Sequence, residues 1–264
     1  MLSLSELKGQ WGLVTGASSG IGYTFCSHLA QAGMNLVLVA RRQPLLETLA
    51  QDLSQRYQTQ NLVEAVDLSK ENVVAGLKGR LNTKGIRIRL LCNNAAFGRW
   101  GRFEATTADV YDEMIRLNDV ALVSMCNHFL SDLNSFPTSV IINVSSPAAL
   151  QPIPYMAVYA ATKAFVHSFS QALYGEWKSK GILVQTLVPG PTSTEFDKKA
   201  GAYVSALKER DLTEKVVEAS LKHLSKDLPV VTTAKGTYTQ RFFAGLFPAK
   251  IVIREVAKMF QPPK

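Results

Sequence analysis

Short runs of Val, Ile and Leu alternate with longer amphipathic stretches through the first two thirds of the chain, and this alternation constrains the fold more than any other feature. Unbroken apolar runs are typical of parallel strands that are buried on both faces. The predicted strands are Trp11–Thr15, Asn35–Ala40, Leu62–Val66, Arg89–Asn93, Val140–Ser145 and Leu183–Val188. The predicted helices are Ile21–Ala32, Pro44–Tyr57, Ser69–Asn82, Tyr111–Leu133 and Val158–Lys180.

This order predicts an α/β fold, a Rossmann-like doubly wound parallel sheet with helices on both faces. No internal repeat and no long linker divides the 264 residues, so we expect a single domain, 1–264. The alternation of apolar runs with amphipathic stretches ends after Pro189. We therefore interpret 1–190 as a cofactor-binding and catalytic core, and 191–264 as an irregular C-terminal substrate lid and extension.

Composition excludes several classes of protein. Apolar residues make up 47% of the chain and charged residues 19%, as in ordinary globular proteins. The three cysteines lie far apart without metal-ligand spacing, so we predict neither disulfides nor a metal site, and we expect a reducing, cytoplasmic location. We also predict no signal peptide and no membrane-spanning segment.

The net charge of +8 is unevenly distributed. Eight basic and two acidic residues lie between Lys222 and Lys264, a local net charge of +6, so the rest of the chain carries only +2. This asymmetry argues against a nucleic-acid partner and singles out the C-terminal segment.

A glycine-rich turn joins the first predicted strand to the first predicted helix. Its sequence, TGASSGIG from Thr15 to Gly22, brings backbone amides to a helix N-terminus, where they can bind the pyrophosphate of a dinucleotide. The alternative is an ordinary tight turn between a strand and a helix. The predicted cofactor-binding residues of the turn are Thr15, Gly16, Ser18, Ser19, Gly20, Ile21 and Gly22.

The end of the second predicted strand favours NADP(H) over NAD(H). Arg41 and Arg42 stand where an acidic residue would bind the free ribose hydroxyls of NAD, and a guanidinium instead suits a 2′-phosphate. The alternative is that both arginines are solvated surface charges. Asp67, after the third strand, is placed to bind the adenine amino group or to cap the next helix.

Ser146, Tyr159 and Lys163 form a candidate catalytic set. Tyr159 and Lys163 share one helix face, so the lysine cation can stabilise the tyrosine phenolate while Ser146 holds a carbonyl oxygen. A second YxxxK match, Tyr174 with Lys178, has Ala161 rather than a serine thirteen residues earlier. We therefore interpret Tyr174 as a packing residue.

Together these motifs resemble those of the short-chain dehydrogenase/reductase family. They run from Thr15 to about Thr194, some two thirds of the chain. The matching motifs are TGxxxGxG, Asn93-Asn94-Ala95, Asn118, Ser146, Tyr159, Lys163 and Pro189-Gly190. One departure is Ala96, where the family has glycine, which would be strained if φ there were positive.

The resemblance implies NAD(P)(H)-linked interconversion of a carbonyl and an alcohol. It implies a catalytic tetrad of Asn118, Ser146, Tyr159 and Lys163, in which the lysine also binds the nicotinamide ribose and the asparagine holds a relay water. The further cofactor contacts that it implies are Asn94, Ala95, Tyr159, Lys163, Pro189, Gly190, Thr192 and Thr194. Family members commonly pair two helices across a two-fold axis, so we expect a homodimer or homotetramer through Tyr111–Leu133 and Val158–Lys180.

The substrate is expected to be a hydrophobic small-molecule carbonyl or alcohol, because the candidate pocket walls are mostly apolar. These walls are Phe97, Trp100, Phe103, Ala148, Leu150, Ile153, Tyr155, Met156 and Phe196, with a lid from Pro191 to about Leu212. The expected function is an NADP(H)-dependent oxidoreductase with Tyr159 as general acid/base. The alternatives are a non-catalytic NADP(H) sensor and a membrane-associated lipid or acyl ketone reductase.

The basic C-terminal segment is predicted to fold back over the pocket mouth. Its apolar cluster is Phe242, Phe243, Leu246 and Phe247. Contact with an anionic membrane is the competing interpretation, which we do not favour because Pro248 interrupts the helical run. A packing or partner-contact role is the third alternative.

Overall fold

The computed structural model describes residues 2–201, 210–236, 239 and 245–262. Among these residues, seven strands form one parallel sheet in the order β3-β2-β1-β4-β5-β6-β7. The strands are β1 (Trp11–Thr15), β2 (Asn35–Ala40), β3 (Asn61–Ala65), β4 (Ile88–Asn93), β5 (Ser139–Val144), β6 (Ile182–Val188) and β7 (Val230–Thr232). The helices are α1 (Gly20–Gln31), α2 (Gln43–Tyr57), α3 (Val73–Thr83), α4 (Ala108–Ile115), α5 (Ala121–Leu133), α6 (Ala157–Trp177), α7 (Phe196–Ala200), α8 (Thr213–Lys222) and α9 (Ala249–Phe260).

Helices cover both faces of the sheet, which confirms the predicted Rossmann-like doubly wound fold. Successive residues of β2 point to opposite faces: Leu36 and Leu38 pack in one core with side chains of α1, α2 and α8, whereas Val37 and Val39 pack in a second core with α3, α5 and α6. The central strands are buried on both faces, so apolar residues fill most of their positions. This explains the unbroken Val, Ile and Leu runs.

Three elements differ from their predictions. The predicted helix Tyr111–Leu133 is divided into α4 and α5 by a π-helical segment, Arg116–Val120. The predicted helix Ser69–Asn82 begins only at Val73, because Asp67 Oδ1 accepts hydrogen bonds from Ser69 N (3.0 Å) and Oγ (2.7 Å) and holds the chain in a turn. The seventh strand, β7, was not predicted.

The strand order reverses beside β1. The chain runs outward from β1 to β2 and β3, then crosses to β4 on the other side of β1. In such sheets a crevice opens at the carboxyl ends of the two strands where the order reverses. No helix among the described ranges is long and apolar enough to cross a bilayer.

Candidate active site

A cavity of about 1230 Å³ lies at this crevice and is larger than the ~300–1000 Å³ of typical ligand pockets. It therefore has room for a dinucleotide and a second molecule. Three predicted site residues, Thr15, Gly22 and Asn118, do not line it. The predicted residues that do are Gly16, Ser18, Ser19, Gly20, Ile21, Arg41, Arg42, Asp67, Asn94, Ala95, Ser146, Tyr159, Lys163, Pro189, Gly190, Thr192 and Thr194.

The glycine turn keeps side chains away from the start of α1. Gly16 and Gly20 have φ of +68° and +58°, which only glycine adopts without strain. A Cβ on Gly22 would lie 2.4 Å from the Gly16 carbonyl oxygen, so this glycine permits close packing inside the turn. Thr15 Oγ1 accepts hydrogen bonds from the amides of Asn94 (2.9 Å) and Ala95 (3.0 Å). Thr15 and Gly22 thus shape the turn rather than the cavity surface.

The two arginines after β2 have different surroundings. The Arg42 guanidinium donates to the hydroxyls of Ser18 (3.0 Å) and Ser19 (2.7 Å) in the glycine turn and forms an ion pair with Glu195 at 3.0 Å. Arg41 is 61% exposed and pairs with Glu113 at 3.1 Å. Arg42 is therefore held at the turn by several contacts, whereas Arg41 is a surface cation at the cavity edge.

Tyr159 and Lys163 lie one turn apart on α6, beside the end of β5. Lys163 Nζ donates to the Val144 carbonyl at 2.8 Å and lies 5.9 Å from the centroid of the Tyr159 ring. Ser146, just after β5, accepts a hydrogen bond on Oγ from Ala148 N at 3.2 Å. The sheet and α6 thereby bring the three predicted side chains to one wall of the cavity.

Burial controls the ionisation of this set. It raises the pKa of Tyr159 to about 12, while a hydrogen bond with Ser146 acts in the opposite direction. It lowers the pKa of Lys163 to about 8, while the charge of Asp119 raises it. Burial therefore outweighs the hydrogen bond with Ser146, and Tyr159 retains its proton at neutral pH.

Asn118 occupies a different place from the other members of the predicted tetrad. Its Oδ1 accepts from Phe97 N at 3.1 Å, and its Nδ2 donates to Phe97 O at 3.0 Å and to Thr162 Oγ1 at 3.0 Å. The π-helical segment turns this buried side chain towards α6. Asn118 therefore joins the loop after β4 to helix α6. Its contact on α6 is Thr162, the residue that precedes Lys163.

The second YxxxK match lies outside the cavity, as its spacing predicts. The Tyr174 hydroxyl donates to the Asp227 carbonyl at 3.2 Å and accepts from Lys178 Nζ at 3.1 Å. Its ring packs against the core beneath α6. Ala96 does line the cavity and does not have a positive φ, so alanine is unstrained there.

An apolar chamber adjoins Tyr159. Six predicted wall residues line the cavity: Phe97, Trp100, Ala148, Ile153, Met156 and Phe196. The prediction was wrong for Phe103, Leu150 and Tyr155. Phe103 is 62% exposed and stacks on Tyr111, and Tyr155 has φ of +67° with its carbonyl bound to Gly101 N.

Gly98 is a site residue that sequence reasoning missed. A Cβ there would lie 2.8 Å from the Phe196 ring and 3.0 Å from the Tyr159 ring. The missing side chain lets these two rings approach to 5.2 Å between centroids. Any larger residue at this position would force the Phe196 ring or the Tyr159 ring to move.

Helix α9 closes the chamber. Val252, Val256 and Phe260 pack against a cluster that includes Tyr159, and Met259 also lines the cavity. Trp100 Nε1 donates to the Phe260 carbonyl at 2.8 Å and fixes the end of the helix. Of the predicted C-terminal cluster, Leu246 and Phe247 are exposed, and Phe242 and Phe243 lie outside the described residues.

A family model described as short chain dehydrogenase matches residues 10–204. The chain belongs to the short-chain dehydrogenase family. Its relatives include the very-long-chain 3-oxoacyl-CoA reductase of Bos taurus and the 17-beta-hydroxysteroid dehydrogenase type 3 of Mus musculus, each 33% identical. These alignments cover 72% and 74% of this chain but only 62% and 64% of the relatives, so the chain matches less than two thirds of either.

Solved family structures resemble the whole fold. A short-chain dehydrogenase from Sphingobium yanoikuyae in complex with NADPH has a TM-score of 0.81 and 32% identity, over 90% of this chain and 93% of that one. A bulky-bulky ketone specific alcohol dehydrogenase from Comamonas testosteroni has a TM-score of 0.77 and 29% identity, over 90% and 92%.

Proposed function

We propose that this protein is an NADPH-dependent reductase of bulky, apolar ketones, with Tyr159 as the proton donor. The observation that carries the proposal is one continuous cavity. It joins the glycine turn and the Arg42 guanidinium to Ser146, Tyr159 and Lys163, and then to an apolar chamber that α9 closes. A dinucleotide site and a hydrophobic substrate site therefore meet at a tyrosine.

The residues present fit a phosphorylated dinucleotide. The turn at Gly16 and Gly20 lacks side chains that would block an approaching pyrophosphate, and the N-terminus of α1 favours an anion. Arg41 and Arg42 supply cations for a 2′-phosphate, and they stand directly after β2, where an acidic residue would suit NAD instead. NADPH, when bound, supplies the hydride; the similar Sphingobium yanoikuyae structure was solved in complex with NADPH.

The protein's own residues would manage the proton. Tyr159 carries its proton at neutral pH because burial raises its pKa, so it can donate to the carbonyl oxygen as that oxygen gains negative charge. The Ser146 hydroxyl is placed to hydrogen-bond the same oxygen. Lys163 provides a cation beside the phenolate that Tyr159 becomes after it has donated.

The chamber favours an apolar ketone with substituents on both sides of the carbonyl. Its walls beside Tyr159 are aromatic and aliphatic, and the ring of Phe196 packs directly on Tyr159. Two similar proteins are named for bulky-bulky ketones and for very-long-chain 3-oxoacyl-CoA. We therefore place these two classes first among substrates to test.

The test measures NADPH oxidation with aryl ketones, steroid ketones and 3-oxoacyl thioesters. We expect Tyr159→Phe to lower kcat by about 10²- to 10⁴-fold, the usual contribution of a general acid, while the Kd for NADPH stays unchanged. Tyr174→Phe is the matched control, because it removes the hydroxyl of the other YxxxK match on the same helix. Equal losses in both variants would refute the assignment of Tyr159.

We also propose that the protein forms a homodimer through α4, α5 and α6. Apolar side chains remain on the outer face of these helices: Val120 is 57% exposed, and Phe165 is 43% exposed and stacks on Phe169. A helix with apolar residues on both sides needs a second packing surface in addition to the sheet.

The cytoplasmic location stays a prediction. All three cysteines are free, buried thiols.

A further inference from the structure

Glu195 joins the predicted lid to the cofactor end of the cavity. It lies directly before α7, and the two oxygens of its carboxylate accept from Arg42 Nη1 at 3.0 and 3.3 Å. Thr194 packs on the same glycine turn, where its Cγ2 atom lies 3.0 Å from the position that a Cβ on Gly20 would take. This part of the lid therefore lies across the site proposed for the dinucleotide.

The Arg42 guanidinium has two kinds of partner. Its Nε and Nη2 atoms donate to Ser18 Oγ at 3.2 and 3.0 Å, and Nη2 also donates to Ser19 Oγ at 2.7 Å, whereas Nη1 binds the Glu195 carboxylate. A serine hydroxyl can turn and donate to a phosphate, but an ionised carboxylate only accepts and repels a second anion on the same guanidinium. A 2′-phosphate on Arg42 thus competes with Glu195, whereas a free 2′-hydroxyl does not.

The next residue along the chain contacts the candidate proton donor. Phe196 packs its ring on Tyr159 with 5.2 Å between the centroids. Backbone hydrogen bonds anchor the chain on either side, through Ser193 N at 3.0 Å and Ala200 O at 2.9 Å. A displacement of Glu195 is therefore confined to the few residues between these anchors, and Phe196 is one of them.

Resting on the proposed reductase function, we propose that Glu195 is a specificity-determining residue that links the choice of cofactor to the shape of the substrate chamber. The 2′-phosphate of NADPH takes the place of the Glu195 carboxylate on Arg42. The released segment then moves Phe196 relative to Tyr159 and widens the apolar chamber for a bulky ketone. NADH has no 2′-phosphate with which to favour the released position, so it does not shift this equilibrium.

Adenosine 2′,5′-diphosphate and 5′-AMP separate the 2′-phosphate from the rest of the cofactor. The packing of Phe196 is followed by ¹⁹F NMR on protein labelled with 4-fluorophenylalanine, and its resonance is assigned with Phe196→Leu. We expect the diphosphate, but not 5′-AMP, to shift this resonance. Glu195→Gln removes the carboxylate charge and should give the shifted resonance without any nucleotide. Arg42→Ala breaks the same ion pair from the other side and should do the same.

Affinity and kinetics give independent readouts. Glu195→Gln should bind the diphosphate about two- to fivefold more tightly, the scale of an exposed ion pair, while its affinity for 5′-AMP stays unchanged. In the wild type, KM for the ketone should be lower with NADPH than with NADH, and in Glu195→Gln the two values should agree within about twofold. The matched control is Glu113→Gln, which removes the carboxylate paired with the neighbouring Arg41 at 3.1 Å and should leave the Phe196 resonance in place.

A Phe196 resonance that responds equally to the two nucleotides or to neither, or that stays in place in Glu195→Gln and Arg42→Ala, overturns the proposal. The NMR measurement needs no turnover, so it is independent of the proposed function. A protein that reduces no ketone but shows the phosphate-dependent shift refutes the reductase function and supports the link between Glu195 and Phe196. A protein that reduces ketones with NADPH but lacks that shift keeps its function and overturns the link.

Discussion

Arg42, rather than Arg41, is expected to determine the preference for NADPH. The Arg42 guanidinium is 35% exposed and already held over the glycine turn by Ser18 and Ser19, so little further ordering is needed when it binds a phosphate. Arg41 is 61% exposed, and its ion pair with Glu113 lies in solvent. The two neighbouring cations therefore differ in how well they are positioned.

The magnitudes follow from this difference. A hydrogen bond to a charged group contributes about 1.5–3 kcal/mol, and each 1.4 kcal/mol is about tenfold in Kd. Because Glu195 competes for the same guanidinium, we expect the lower half of that range, a loss of about 10- to 40-fold in NADPH affinity for Arg42→Ala. For Arg41→Ala we expect at most about fivefold, since exposed pairs contribute about 0–1 kcal/mol.

Fluorescence titration of each variant with NADPH and NADH measures these effects. NADH affinity should change by less than about twofold in both variants, because NADH lacks the phosphate on which the difference depends. Glu195→Gln removes the competing carboxylate and should tighten NADPH binding. An equal loss of NADH and NADPH affinity in Arg42→Ala, or a larger loss in Arg41→Ala, would refute the reasoning.

Three further perturbations test other parts of the structure. Asp132→Ala leaves the buried Lys78 ammonium without its partner and should lower the free energy of unfolding by about 3–5 kcal/mol, measured by urea denaturation. Phe165→Glu places a charge on the exposed face of α6 and should convert the proposed dimer to a monomer; a dimer that persists in light scattering would exclude this interface. Truncation after Pro248 removes α9 and should raise KM for bulky ketones while the Kd for NADPH stays constant. Loss of liposome binding with unchanged kinetics would favour the membrane interpretation instead.

The sequence predicted the six longer strands to within about two residues, because a strand buried on both faces requires an apolar run that is visible without tertiary information. The three residues of β7 were too few for such a run. The π-helical segment could not be predicted from the sequence either. Hydrophobic periodicity identifies a helix, but it does not show a local change of backbone hydrogen bonding that packing imposes.

The candidate site was predictable where function depends on a local motif and spacing. Ser146, Tyr159 and Lys163 were found in this way. Phe103 and Tyr155 were misplaced, because an aromatic residue near the site packs inward or outward according to backbone angles that composition does not specify. Gly98 was missed because its significance lies in which rings face it across the fold.

The hydrogen bond that holds α9 in place ends on a main-chain carbonyl, that of Phe260. Such a bond does not depend on which side chain Phe260 carries, so it remains available when the inward side chains of the helix change in size. The proton donor comes from α6 and the cofactor turn from the first strand, both far away in the sequence. New substrate shapes are therefore accessible through a few positions of α9, and a library restricted to Val252, Val256 and Phe260, which pack towards Tyr159, is the natural route to altered ketone specificity.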